Sequence, residues 1–209
     1  MSQIVTFTEL GPAEFRHAIS EFVAVYAAAM DPPERMLAGR ELILERHAAS
    51  PGFRALAASA GGELVGFTYG FRGLPGQWWH DMVAGALAVT RAPEGAPEAT
   101  AWLADSFEVA ELHVLPGHQG AGTGRALLLR LTSGRPERTA VLSTQDTESR
   151  ARRLYRDVGF TDLLTGFRFS GGEPPYAVMG ARLPLRTERS GAGTVAPGPP
   201  AAPSRPRSW

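Results

Sequence analysis

One run of this sequence has the residue types and spacing that chemistry needs: Glu111-Leu-His-Val-Leu-Pro-Gly-His-Gln-Gly-Ala-Gly-Thr-Gly-Arg125, between a buried-strand pattern and a helical one. Gly120, Gly122 and Gly124, with only the small Ala121 and Thr123 between them, permit a sharp turn and leave main-chain N–H groups uncovered. Successive N–H groups at a helix start form an anion-binding concavity, reinforced by roughly half a unit of positive charge from the helix dipole. A diphosphate fits such a turn without any Lys, and the chain contains none. A Walker-type loop, which requires Lys, is therefore excluded. The dinucleotide fingerprint G-x-G-x-x-G also fails, because its sixth position, counted from Gly120, is Arg125. On the residues alone, an anion site and a ligand-free Gly-rich connection both stay open.

The strand before the turn carries two carboxylates, Glu108 and Glu111. A separation of three sends them to opposite faces of a regular strand, so they are not expected to share a pocket. Glu111 shares its face with His113 and is the slightly favoured proton acceptor; the alternative for either is a buried ion pair with a helix Arg. Trp78-Trp79-His80-Asp81 is the most unusual local feature, either a pocket wall for an apolar or cationic amine or a set of core anchors. Five dispersed His and no Cys give no metal-ligand spacing, no disulfide and no cysteine nucleophile, so no metal is expected.

These residues need a frame. The pattern reads as a strand over 3–9, then a helix with Phe15, Ile19, Phe22, Val23 and Tyr26 at helical spacing through Met30. A second helix carries Met36, Leu37, Ile43 and Leu44 on its apolar side. Strands over 53–59 and 63–71 flank Gly61-Gly62 as a hairpin. Residues 72–105 give a mixed signal, with a short helix over 77–89 and an irregular stretch over 91–100. A strand over 107–115, a helix from Gly122 to near Gly134, a strand over 139–144, a helix over 148–158 and strands over 163–169 and 176–183 complete the pattern. From residue 186 the composition turns to Gly, Pro and Ala with almost nothing to bury, so 186–209 is expected to be disordered and 1–185 to form the one domain.

The formal net charge is +0, with 21 basic and 21 acidic residues, which argues against a nucleic-acid or anionic-membrane partner. No apolar run is long enough to span a bilayer, and the N-terminus lacks a signal-peptide pattern, so a cytoplasmic monomer or homodimer is expected.

Gln119-x-x-Gly122-x-Gly124 matches the Q/R-x-x-G-x-G/A motif, and Ala151-x-x-Leu154-Tyr155-x-x-x-Gly159-Phe160 resembles a second segment, of the Gcn5-related N-acetyltransferase (GNAT) superfamily. Motif order and element order agree with that family over about residues 3–185. The resemblance implies an α/β (α+β) fold, a central mixed sheet of about seven strands flanked by about four helices. It also implies acetyl transfer from acetyl-CoA, as co-substrate, to a primary amine on a small molecule or peptide; a non-catalytic acyl-CoA-binding module is the alternative. Carried over by position, Gln119, Gly120, Ala121, Gly122, Thr123, Gly124 and Arg125 hold the diphosphate end, and Leu112 and Val114 pair with the pantetheine. Arg153 is a further nucleotide-end candidate. Tyr155 occupies the general-acid position, with a phenol pKa close enough to a thiol's for proton donation, or else packs as a core ring. Glu111 and Glu108 are the base candidates. Tyr26, Trp78, Trp79, His80 and Tyr176 are candidates for the acceptor side. Glu148 stands where many relatives carry Asn, which puts one side-chain contact near the cofactor in doubt.

Overall fold

The computed structural model describes residues 4–90, 99–169 and 174–187. The expected tail from residue 188, and most of the irregular stretch over 91–100, lie outside the described residues. Strand β1 (Val5–Leu10) leads into helices α1 (Pro12–His17), α2 (Ile19–Met30) and α3 (Arg40–His47). The hairpin β2 (Arg54–Ala60) and β3 (Glu63–Gly73) follows, then α4 (Trp78–Val89). After them come β4 (Ser106–Val114), α5 (Thr123–Thr132), β5 (Thr139–Gln145), α6 (Arg150–Asp157), β6 (Thr161–Phe167) and β7 (Tyr176–Arg182). All seven strands form one sheet in the order β1-β2-β3-β4-β5-β7-β6.

The first helical segment is two helices rather than one. Ala18 leaves the helical region (φ −95°, ψ 5°), so Phe15 and Phe22 reach the same core from separate helices. The second expected helix differs more. Its first turn is a separate 3-10 turn over Glu34–Met36, and Gly39 at φ +77° re-aims the chain before α3 begins. That change of phase leaves Leu44 buried and turns Leu42 and Ile43 outward. The same rotation aims Arg40 at Glu111 on β4 and His47 at Tyr69 on β3.

Neighbouring residues on the strands feed opposite layers, as strand alternation requires. Ala140, Leu142, Ala177 and Met179 pack with Leu127, Leu128 and Leu131 of α5 and with Tyr155 and Val158 at α6. Val141 and Val178 pack with Val83 and Leu87 of α4 on the other face. Phe67, Tyr69 and Phe71 pack beneath α1, α2 and α3 on that same second face.

Two irregularities of β4 decide the position of the site. Its pairing with β5 is parallel and covers only Ser106, Phe107 and Glu108, opposite Thr139, Ala140 and Val141. Beyond those residues the two strands part. On its other edge β4 pairs antiparallel with β3, and the register slips between Tyr69↔Glu111 and Gly70↔Val109, which leaves Ala110 as an extra residue. This is a β-bulge. It needs close backbone approach at Gly70, where a β-carbon would stand 2.3 Å from the Glu108 carbonyl oxygen and 2.7 Å from the Phe107 ring. Gly70→Ala is expected to lower stability by about 2 kcal/mol or more, read as a shift in the urea midpoint; an unchanged midpoint would show that the bulge tolerates a side chain.

Candidate active site

The bulge overturns the expectation that Glu108 and Glu111 face opposite ways. Phe67, Tyr69 and Phe71 share one face of β3, and their partners on β4 are His113, Glu111 and Glu108. Directly paired residues point to the same side of a sheet, so all three polar residues face the α2–α3 layer. The inserted Ala110 changes an odd separation into an even one. Glu108 stands at the last residue of β4 that still pairs with β5, at the apex of the gap.

The two carboxylates differ in surroundings. Glu111 Oε1 is paired with Arg40 and Oε2 with His113, both at very short range. The Arg40 guanidinium lies 3.7 Å from the centroid of the Tyr26 ring, whose edge meets His113 at 5.1 Å. Burial by itself would raise the Glu111 carboxyl; the His113 hydrogen bond and the charges of His113, Arg40 and His47 outweigh it and hold the group below its usual range. Glu108 is 5% exposed and its Oε2 has no hydrogen-bond partner. Burial, with the Glu111 charge added, pushes its pKa up to about 8. His47 Nδ1 lies 3.0 Å from the Tyr69 hydroxyl beneath this pair. Burial lowers the His47 pKa, and burial together with Glu111 raises that of Tyr69.

Tyr155 lies on the other face of the sheet, buried in the α5–α6 core with its ring 5.8 Å from Phe160. Burial and then the Glu111 charge raise its phenol well above the ordinary value. The close match to a thiol's pKa expected from the sequence is therefore not what the structure gives; the hydroxyl is held protonated. Its coupling to Glu111 acts between the two faces, where β4 and β5 have parted.

The Gly-rich turn lies at the open end of the same gap. Gly120 and Gly122 adopt φ of +81° and +91°, a region that favours Gly, and Gly122 begins α5 with no side-chain cap. Among the described residues, no hydrogen bond is made by the N–H groups of residues 120 to 125. Leu115 N–H donates to Val65 O across β3, so alternation turns the N–H and C=O of Val114 and Leu112 toward the gap. Gln119 Nε2 donates to Val114 O at 2.9 Å, which fixes the strand end against the turn. Arg125 is turned away and donates to the Thr187 carbonyl at 3.1 Å.

The acceptor-side candidates divide. Tyr26 belongs to the Glu111 cluster. Trp78 and Trp79 do not form a joint wall, because adjacent helical residues point about 100° apart. Trp78 is 60% exposed and packs on Phe169, whereas the Trp79 indole N–H donates to Ser143 Oγ on β5 at 3.1 Å. Tyr176 packs on Phe169 at 5.3 Å. His80 is buried and bonded to Asp81, whose carboxylate also accepts from Gly76 N–H, so this pair secures the start of α4. Glu148 is turned outward to Arg156. Among the described residues no cluster of three potential metal ligands is present. The cavity of about 230 Å³ lined by Trp102, Asp105, Arg138 and Arg182 lies at the paired ends of β4 and β5, away from all of these groups.

Reading the sequence missed Arg40, His47 and Tyr69 as members of the Glu111 cluster. Arg40 and His47 lie seven apart on one helix, a spacing that places both on one face, but nothing in the sequence says that this face meets β4.

A seven-stranded mixed sheet with helices on both faces is the fold that this chain shares with solved acetyltransferases. The chain belongs to the acetyltransferase (GNAT) family, whose pattern it matches over residues 17–160. Acetyl transfer is accordingly its class of reaction. It is 33% identical, over 85% of its own length and 97% of the other chain, to the GCN5-like protein acetyltransferase Rv2170 of Mycobacterium tuberculosis. A shorter match, 36% identical over 100 residues, joins 45% of the chain to 32% of the mycothiol acetyltransferase of Kineococcus radiotolerans. Among solved structures, the ribosomal-protein-S18-alanine N-acetyltransferase of Escherichia coli shares the fold at a TM-score of 0.57 and 16% identity, over 92% of this chain and 99% of that one. The PaiA N-acetyltransferase of Thermoplasma acidophilum, solved in complex with coenzyme A, does so at 0.53 and 14%, over 87% and 99%.

The raised Glu108 pKa has a consequence for stability. In the unfolded chain this carboxyl releases its proton near 4.5, and in the folded chain near 8. Between those values the folded state holds the extra proton, so stability falls as pH rises through that window. Glu108→Gln is expected to remove this fall, on the order of 4 kcal/mol across the window, measured as urea-unfolding free energy at pH 5 and pH 9. The same slope in variant and parent would rule out Glu108 as its source.

Proposed function

We propose that this protein is an N-acetyltransferase that moves an acetyl group from acetyl-CoA to a primary amine, on a small molecule or a peptide, by direct transfer in a ternary complex. The observation that carries the reading is the gap between β4 and β5. It has a high-pKa carboxyl on one face, a protonated phenol on the other, and unpaired main-chain donors along its edge and at its mouth. The N–H groups of residues 120–125 would hold the diphosphate, and the gap-facing main chain of Leu112 and Val114 would take the pantetheine amides as an added strand. Acetyl-CoA bound there supplies an activated acyl group. The coenzyme A in the Thermoplasma acidophilum structure supports this assignment. The relative named a protein acetyltransferase and the structural neighbour named a ribosomal-protein-S18-alanine N-acetyltransferase support an amine acceptor.

The chain's own residues then divide the proton work. The Val114 N–H, facing the gap, is the donor for negative charge developing on the acyl oxygen. Glu108 accepts the proton of the substrate ammonium, since a carboxylate with a pKa of about 8 is a far better match to an amine than an ordinary one. Glu111, with each oxygen occupied, stays anionic, keeps the Glu108 pKa high and orients the cluster. Tyr155 donates to the departing sulfur from the opposite face. With no Cys to carry an acetyl group, transfer is direct.

In wild type, kcat/KM for an amine acceptor is expected to rise with pH through about 8. Glu108→Gln should lose that limb and about 10²-fold in rate. Glu111→Gln should shift the limb to lower pH, because removing its charge relieves Glu108. A limb that persists unshifted in Glu108→Gln rules this base out. Tyr155→Phe should lower kcat about 10²-fold with little change in KM; full turnover would return Tyr155 to a purely packing role. Binding of acetyl-CoA with no thiol release on any amine tested would favour the non-catalytic module instead.

A further inference from the structure

The arginines of α6 are unequally employed. Arg152 is buried and pairs with Asp146 and Asp162, and Arg156 pairs with Glu148 and Asp162. Arg150 and Arg153 enter no ion pair among the described residues. Arg150 is the first residue of the helix, is exposed, and points across to the Gly-rich turn. Its Nη1 lies 3.9 Å from the position that a β-carbon on Gly120 would occupy, the one side-chain contact such an atom would meet within 4 Å. Arg125, the basic residue of the turn itself, is committed to the Thr187 carbonyl. The two acidic residues just before α6, Asp146 and Glu148, are taken up by Arg152 and Arg156. One uncommitted guanidinium thus stands over a run of unpaired N–H groups.

We propose that Arg150 is the cationic contact for the diphosphate bound by the turn, supplying in trans from α6 the charge that a Lys within the loop supplies in other phosphate-binding turns. This rests on the acyl-CoA reading of the turn and adds to it a residue that the motif does not contain. The guanidinium suits the task, since its planar fork bonds two phosphate oxygens at once and it is less strongly hydrated than an ammonium. The position also explains the need for Gly at 120 beyond its backbone angle: a side chain there would stand between the guanidinium and the N–H groups it works with.

Titration calorimetry with coenzyme A, 3′-dephospho-coenzyme A and pantetheine tests this without reference to turnover. Arg150→Gln is expected to weaken coenzyme A and 3′-dephospho-coenzyme A equally, by about tenfold, and to leave pantetheine unchanged. Arg150→Lys should recover part of the loss. Unchanged affinities in Arg150→Gln overturn the proposal. So does a loss confined to coenzyme A, which would place Arg150 on the 3′-phosphate, and so does a loss extending to pantetheine, which would mark a disturbed fold. Wild-type protein that binds no coenzyme A sinks the acyl-CoA reading together with this one, whereas a binding wild type with an indifferent Arg150 variant sinks only the contact.

Discussion

The parting of β4 from β5 is the constraint on which the rest depends. Each strand is fully engaged on its outer edge: β4 follows β3 along its whole length, and all seven residues of β5 pair with β7. Between them only three residues on each side are in register. Unpaired main-chain groups inside a sheet are costly when they are also denied water. A sheet that leaves a row of them along its centre therefore has a place for something else to bond. The bulge at Ala110 contributes by adding twist to β4 just beyond the last paired residue, so the strands diverge where the carboxylates stand.

The same divergence leaves the carboxylates and the phenol on opposite faces of the sheet. Glu108 and Glu111 open to the α2–α3 face, and Tyr155 belongs to the α5–α6 face. Their mutual influence acts through the gap, where the Glu111 charge raises both Glu108 and Tyr155. Glu111 can remain charged in this buried setting because Arg40 and His113 each take one of its oxygens. A buried charge stripped of such partners would be unsupported. Tyr26 completes the arrangement by covering the guanidinium. Burial first, and then one anion held by two partners, raise a second carboxyl and a phenol, one on each side of the sheet.

Most of the fold was legible because its signals are local. The Gly61-Gly62 turn, the strand before Pro116, the helix starting at Gly122 and the helix closing at Gly159 each announce themselves by residue type. What failed was phase. Ile43 reads as apolar-side on a continuous helix, and only the positive φ at Gly39 turns it to solvent. Glu108 and Glu111 read as opposed on a regular strand, and only the bulge brings them together. A bulge has no reliable residue signature of its own; here its requirement appears on the neighbouring strand, at Gly70, far in sequence from the bulged residue Ala110. Pairing of that kind is invisible until the two strands are laid side by side. Arg40 and His47 were missed for the same reason, since their importance lies in what α3 covers.

The Gly-rich turn shows how little a single local feature decides. An uncapped helix start does not by itself mark a ligand site here, since α2 and α3 also begin without a side-chain cap and α3 even begins after a Gly of positive φ. Dipole and free N–H groups are common to all of them. What distinguishes α5 is position and clearance. Its start lies at the mouth of the gap between β4 and β5, Gln119 ties the turn to the end of β4, and Gly120 and Gly122 keep side chains away from the amides. The proposed ligand reading of the turn therefore rests on the turn and the gap together, because each leaves main-chain N–H groups without a partner among the described residues.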